Sequence, residues 1–170
     1  MDNTTTGFVH RKVGFFMLNP TDNSESGFVG AMLITDEKGL PLEFKCTEAV
    51  KPNKTQRVLY GEHLKPYIAI NLSMIPLLQR ISNENKPDII FVCDNTHLEV
   101  RNEIALPVLF LKPANNAQEI GNAYIPQAAK RFSDDSNTGL LLELNFDLLE
   151  PFDRIKTATE ILGTQDERFR

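Results

Sequence analysis

The chain has no tryptophan, only two cysteines in 170 residues and no long apolar run. A membrane-spanning helix needs roughly 20 consecutive apolar residues, and the longest candidate stretch is interrupted by Asn71, Ser73 and Pro76. The first residues, Met1 to Thr6, lack the basic and apolar segments of a secretory signal. We therefore predict a cytoplasmic protein without membrane association.

An excess of positive charge is also missing. The sequence carries 18 Lys and Arg against 23 Asp and Glu, for a net charge of -5 and a pI near 5.2. Phosphate contacts need clustered basic side chains, and the affinity for nucleic acid scales with their number. The composition therefore disfavours nucleic acid as a partner, although a local basic patch stays open.

Catalytic and cofactor signatures are absent from the sequence as well. The glycines form neither a phosphate-binding loop nor a dinucleotide fingerprint, and the three histidines lack the close spacing of a metal motif. Cys46 and Cys93 fall in apolar strand patterns, which predicts two buried free thiols rather than a disulfide or a metal knuckle. The expectation is a protein with no cofactor in a reducing compartment.

What is present is the composition of one ordinary globular domain, with 41% hydrophobic and 24% charged residues. We predict a single domain over residues 13–163, with flexible segments at 1–12 and 164–170. Near the end, Pro151 suits a first helical turn, and Phe152, Ile155 and Ala158 form an apolar stripe. Gly163 is the predicted end of this helix.

Five segments have the pattern of strands. Gly27 to Ile34 is apolar nearly throughout, and the turn residues that follow it, with Gly39 suited to positive φ, predict a hairpin. Alternation and Pro41 predict an edge strand from Leu40 to Thr47. The remaining strands are predicted at Val13 to Leu18, at the β-branched run Ile89 to Cys93, which is typical of a central strand, and at Leu106 to Leu111.

Helices are predicted between the third and fourth strands. One begins after Asn53 with Val58, Leu59 and Leu64 as its apolar residues, and a second runs from Pro66 to Ile81. The second helix has an apolar stripe, and Pro76 is predicted to kink the helix or to split it in two. The stripe comprises Tyr67, Ile70, Met74, Leu77, Leu78 and Ile81. A further helix from Ala117 to Ala129 is ambiguous, and Leu140 to Phe146 fits either a strand or a helix start.

This order of elements predicts an α/β (α+β) fold, a mixed sheet flanked by helices. The ribonuclease H-like arrangement has the same order: three strands form a meander, the third strand lies at the edge, and the first lies beside a central parallel strand. Such an analogy concerns architecture and supplies no chemistry.

Four short runs carry a resemblance to a family of uncharacterised bacterial proteins with PLEF, VKPN, ILYG and EPFxR runs. The corresponding residues are Pro41–Phe44, Val50–Lys54, Val58–Gly61 and Glu150–Ile155. The similarity spans most of the chain after Gly27. It implies a bacterial single-domain protein and transfers no site residues.

A crevice is predicted beyond the carboxyl end of the central strand, where ligands gather in α/β sheets. Its candidate residues are Asn19, Asn95 and His97. For a divalent cation of the nuclease type, Mg²⁺ or Mn²⁺, the candidate ligands are Asp94, Asp22 and Glu48; the plainer interpretation is that Asp94 caps a turn or short helix. A second candidate is an anion-binding surface formed by Lys51, Lys54 and Arg57, for which a solvated helix face is the plainer interpretation.

The sequence predicts a fold but contains no recognisable set of catalytic residues, which favours a non-catalytic binding domain. Its exposed edge strand could pair with a protein partner or with a second copy of the chain. The alternative is a metal-dependent nuclease or phosphodiesterase with Asp94 as a metal ligand. Nucleotide or phosphate binding at the strand ends is a third option. A missing carboxylate in the first strand counts against catalysis by two metal ions.

Overall fold

The structure, a computed structural model, describes residues 11–113, 123–124, 144 and 146–170. The strands are β1 (Val13–Pro20), β2 (Phe28–Thr35), β3 (Pro41–Cys46), β4 (Ile89–Val92), β5 (Val108–Phe110), β6 (Lys112–Pro113) and β7 (Ala123–Tyr124). The α-helices are α1 (Lys54–Tyr60), α2 (Leu64–Ala69), α3 (Ile75–Arg80) and α4 (Glu150–Gln165). The predicted helix at Ala117 to Ala129 lies outside the described residues, as does most of Leu140 to Phe146.

Five strands form one mixed sheet in the order β3-β2-β1-β4-β5. β1, β2 and β3 pair as an antiparallel meander, whereas β4 runs parallel to both β1 and β5. This arrangement confirms the predicted fold class and the ribonuclease H-like strand order. β6 and β7 pair separately as a short antiparallel ribbon.

Both faces of the sheet are covered. On one face, Val13 and Phe15 of β1 pack with Phe152 and Ile155 of α4. On the other face, Phe16 packs with side chains from the α2–α3 region. Because both faces are buried, β2 is an uninterrupted run of buried residues, as its apolar sequence predicts.

The turn chemistry between β2 and β3 is as predicted. Gly39 has φ of 86°, and the Asp36 carboxylate accepts hydrogen bonds from the N–H groups of Lys38 and Leu40. β3 lies at the edge of the sheet, where the missing N–H of Pro41 costs no central hydrogen bond. The predicted hairpin and edge strand are confirmed.

The predicted helix from Pro66 to Ile81 is split in two, which is one of the two predicted effects of Pro76. A π-helical turn, Ile70–Met74, separates α2 from α3, and the interruption lies just before Pro76, which has no N–H to donate to the preceding turn. Tyr67, a member of the predicted apolar stripe, is 38% exposed. Val58 and Leu59 are exposed as well, because α1 buries none of its residues.

The π-helical turn lies directly against the backbone of β2. A Cβ atom built on Gly30 would lie 2.3 Å from Cβ of Ser73, which is fully buried. Only a glycine lets the strand and the turn approach so closely. This contact explains why β2 contains a glycine in an otherwise apolar run.

We expect Gly30→Ala to lower the free energy of unfolding by about 3 kcal/mol, because the added methyl group overpacks the contact with Ser73. Urea denaturation measures the loss. The double variant Gly30→Ala with Ser73→Gly removes the clashing atoms and should regain part of the stability. A Gly30→Ala protein as stable as the parent would contradict the contact.

The C-terminal helix α4 ends later than predicted. It passes Gly163 and ends at Gln165, where the Asp166 N–H donates to the Leu162 carbonyl. A 3₁₀ turn, Glu167–Phe169, follows, and the Ala49 N–H donates to the Arg168 carbonyl at 2.6 Å. The residues after Gly163 are therefore bonded to the segment that follows β3.

None of the helices in the described part of the chain combines the length and apolar character needed to cross a membrane.

Candidate functional site

The strand order places a switch point between β1 and β4. From β1 the chain proceeds to β2 on one side, whereas from β4 it proceeds to β5 on the other side. In sheets of this kind, ligands bind in the crevice outside the carboxyl ends of the strands at such a switch point. The residues that follow β4 therefore occupy the position where a site is expected.

Asp94 follows β4 and caps a 3₁₀ helix, Asn95–Asn102, as the plainer interpretation predicted. Its Oδ1 accepts hydrogen bonds from the N–H of Thr96 at 2.9 Å and from the Thr96 hydroxyl at 2.7 Å. Its Oδ2 lies 3.8 Å from Nε2 of His97, and half of the side chain is exposed. Capping thus uses one carboxylate oxygen and leaves the other facing His97.

The electrostatics of Asp94 favour its charged form. Desolvation raises the pKa of this carboxyl, but the hydrogen bonds from Thr96 and the positive charge of nearby Lys65 outweigh it, so that the net shift is downward. Asp94 is therefore a carboxylate at neutral pH.

His97 is buried, with 3% of its surface exposed. Burial lowers its pKa below the usual range, against the opposing effect of Asp94, so the imidazole is neutral at neutral pH. Its ring packs against Phe16 with 5.5 Å between ring centroids. Its Nδ1 is buried and has no hydrogen-bond partner among the described residues. Buried polar atoms are usually paired, so this histidine is an exception that calls for an explanation.

Asp94 and His97 line a cavity of about 190 Å³, which we call the Asp94 cavity. Its other lining residues are Leu18, Pro20, Phe28, Lys65 and Cys93. Nζ of Lys65 lies 2.8 Å from Oε1 of Glu25 and 5.6 Å from the centroid of the Phe28 ring. The cavity thus combines apolar walls with one carboxylate, one imidazole and one ammonium group.

The three predicted metal ligands do not come together. The Asp22 carboxylate closes a turn by accepting hydrogen bonds from Ser24 and Ser26, which lower its pKa to about 2. Glu48 is exposed beyond the edge strand. Among the described residues, no group of three or more His, Cys, Asp or Glu side chains is placed to hold a metal ion. Neither Asp22 nor Glu48 lines the Asp94 cavity, so the three predicted ligands cannot share one ion there.

The predicted crevice residues separate in a similar way. His97 lies in the Asp94 cavity, and Asn95 is an exposed residue that opens the 3₁₀ helix. Asn19 is buried against α4, where its Nδ2 donates to Oγ1 of Thr159 at 3.2 Å. It borders a different cleft of about 620 Å³ between the β1–β2 turn and α4.

The predicted anion-binding surface is only partly formed. Arg57 donates from Nη2 to the carbonyl oxygens of Glu25 and Ser26, each at 2.9 Å. At the start of α1, a reciprocal capping box between Asn53 and Gln56 already satisfies backbone groups. Lys51 and Lys54 remain exposed. The three basic residues therefore do not converge on one point.

Neither cysteine is buried as predicted. Cys46 is partly buried on the edge strand. Cys93 follows β4, which ends at Val92, one residue earlier than predicted, and it is an exposed residue whose thiol is nevertheless largely surrounded by protein. Desolvation around the thiol and the charge of Asp94 raise the pKa of Cys93 to about 11. Both thiols are free.

Lys65 was not predicted to lie beside Asp94. It belongs to α2, and only the packing of α2 beside the ends of β1 and β4 brings it to Asp94. A single lysine on a helix carries no local signal of such a long-range contact.

No family model and no curated protein matches the sequence. Some solved structures resemble the chain. One is Ciona intestinalis endonuclease V in complex with a 24mer DNA containing an inosine followed by a ribo-adenosine. It is 16% identical, with a TM-score of 0.41, and the match covers 77% of this chain and 58% of that one. A variant of that enzyme with a 23mer DNA is 14% identical, with a TM-score of 0.41 and coverage of 77% and 57%. Human ENDOV is 11% identical, with a TM-score of 0.37 and coverage of 72% and 52%. The match thus spans between half and three fifths of the length of these proteins.

These neighbours correct two expectations from the sequence. The interpretation as a non-catalytic binding or partner domain is not retained, because the similar structures are endonucleases. The expectation that nucleic acid is disfavoured as a partner is also not retained, because two of those structures contain DNA. Net charge averages over the whole surface, whereas a binding site depends on local charge, so the acidic composition does not exclude such a site. The resemblance concerns the fold and assigns no role to any residue.

We expect Asn19→Ala to lower the free energy of unfolding by about 1 kcal/mol, because it removes the buried hydrogen bond to Thr159 that joins β1 to α4. Denaturant unfolding measures the change. Asn23→Ala is the matched control, since Asn23 is exposed in the turn that follows β1 and should change stability by less than about 0.5 kcal/mol. Equal losses for the two variants would contradict the assignment.

Proposed function

We propose that this chain is a divalent-metal-dependent phosphodiesterase that acts on nucleic acid, with the ion held by Asp94 and His97. One observation carries the proposal. At the switch point of a ribonuclease H-like sheet, Oδ2 of an ionised Asp94 faces a buried, neutral His97 across 3.8 Å. That position is where sheets of this kind bind their ligands.

The donor set fits a metal ion. The separation of 3.8 Å is too long for a hydrogen bond, and it is short enough for both atoms to bind one ion at typical ligand distances of about 2 Å. A neutral imidazole is the form of histidine that binds metals. One nitrogen and one oxygen ligand suit Mn²⁺ better than Mg²⁺, which prefers oxygen ligands.

The chemistry follows from the contents of the Asp94 cavity. A bound divalent ion would supply Lewis acidity and lower the pKa of a water molecule for attack on phosphorus. Asp94 contributes the negative charge that attracts the ion, and the apolar walls of Leu18 and Phe28 limit the access of bulk water. Lys65 offers positive charge to a phosphate oxygen at the mouth of the cavity.

The site supports one ion rather than two. β1 contains no carboxylate, and Leu18 and Pro20 occupy its part of the cavity wall. Two-metal sites need carboxylates that bridge or flank both ions. The proposed centre therefore relies on His97 where two-metal nucleases rely on additional acidic ligands.

We also place this activity in the bacterial cytoplasm. The four runs shared with uncharacterised bacterial proteins support this setting. Two of the runs have structural roles: Asn53 of the VKPN run caps α1, and Arg154 of the EPFxR run donates a hydrogen bond to the carbonyl of Gly39.

We expect the purified protein to cleave DNA or RNA oligonucleotides with Mn²⁺, to be inactive with EDTA, and to lose activity about 100-fold or more in Asp94→Ala, which removes the charged ligand. Gel assays with single-stranded and duplex substrates measure the cleavage.

Asp22→Asn is the control for this experiment. Asp22 and Asp94 both close turns by accepting bonds from neighbouring hydroxyl groups, but Asp94 alone faces a histidine. Activity should therefore survive in Asp22→Asn. A protein that cleaves no substrate with either Mn²⁺ or Mg²⁺, or an Asp94→Ala variant with full activity, would contradict the proposal.

A further inference from the structure

Two tyrosines lie together on the surface beside the Asp94 cavity. The rings of Tyr60, at the end of α1, and Tyr67, in α2, are 5.1 Å apart between centroids, and each residue is 38% exposed. They line a shallow groove of about 200 Å³ together with Leu72, which is 40% exposed. We call Tyr60, Tyr67 and Leu72 the tyrosine platform.

The groove continues toward the proposed active site. Leu64 lines both this groove and a second cavity of about 220 Å³. Lys65 in turn lines both the second cavity and the Asp94 cavity. One connected surface therefore leads from the tyrosine platform to Asp94.

The segment that carries Tyr60 and Tyr67 is locally basic although the chain is acidic. The segment from Lys51 to Tyr67 contains four basic residues and one acidic residue, Glu62, in a chain of net charge -5. Lys51 lines the groove, and Lys54 is exposed on α1. Exposed aromatic rings with surrounding lysines are the features on which proteins bind single strands, through base stacking and phosphate contacts.

The charges also discriminate between occupants of the groove. A second copy of the chain, packed about a twofold axis, would bring Lys51 and Lys54 near their own symmetry mates and place like charges together. A polyanion is attracted by the same residues. A duplex keeps its base faces stacked inside, so two exposed rings favour a strand whose bases are free to stack.

We propose that the tyrosine platform binds the bases of a single-stranded nucleic acid and that Lys51, Lys54 and Lys65 guide its backbone toward Asp94. This inference rests on the proposed function and defines its substrate class. It assigns a role to Tyr60 and Tyr67 that core packing does not explain, since two partly exposed rings in contact on the surface contribute little to the core.

Binding is tested without catalysis, on the whole chain in EDTA. The probe is a fluorescein-labelled oligonucleotide of about 12 nucleotides, single-stranded or annealed to its complement, and the readout is fluorescence anisotropy. We expect the single strand to bind more tightly than the duplex, with affinity that falls as salt rises. Tyr60→Ala and Tyr67→Ala should each weaken binding about tenfold.

Two matched variants separate stacking from charge. Tyr60→Phe keeps the ring and should bind within about twofold of the parent. Lys54→Ala should lower the slope of the salt dependence by about one. A parent protein that binds single strands but cleaves no substrate would refute the proposed function and leave the platform intact.

Three results would overturn the inference. The first is equal or tighter binding of the duplex. The second is unchanged binding by both Tyr60→Ala and Tyr67→Ala, when the thermal unfolding of each variant matches that of the parent. The third is formation of dimers, seen by analytical ultracentrifugation, that Tyr60→Ala abolishes, because the groove would then belong to a second copy of the chain.

Discussion

β1 and β4 lie parallel and adjacent at the centre of the sheet, and this pairing determines where a site is available. Both strands are buried on both faces, with α4 on one side and the α2–α3 region on the other. Parallel neighbours end at the same edge, so the carboxyl ends of β1 and β4 together open onto one crevice. The proposed metal site lies at that edge, and the tyrosine platform lies on the surface that leads to it.

The local chemistry at this edge depends on what the pairing brings together. Asp94 caps the next 3₁₀ helix, an ordinary role for aspartate, but the same helix carries His97 into the core beside it. Burial keeps the imidazole neutral, and the hydrogen bonds from Thr96 keep the carboxyl charged. A neutral nitrogen and a charged oxygen therefore share a cavity with Lys65, which α2 supplies.

The sequence predicted those parts of the fold that depend on local pattern. The apolar run at Ile89, the alternation around Pro41 and the turn at Gly39 each specify their strand or hairpin through nearby residues. Long-range packing decided the rest: the exposure of Tyr67 depends on where α1 lies, and the position of Lys65 depends on how α2 crosses the ends of the strands. Asp94 and His97 were predicted because they directly follow a recognisable central strand, but the overall negative charge gave no weight to the basic segment from Lys51 to Lys65.

The most direct test of this account is a crystal of the protein soaked in Mn²⁺, with anomalous diffraction recorded to locate the ion. The account predicts an anomalous peak between Oδ2 of Asp94 and an imidazole nitrogen of His97, within about 2.3 Å of each, and none in Asp94→Ala crystals. A Mn²⁺ ion bound elsewhere, or full soaking with no peak in the Asp94 cavity, would contradict it.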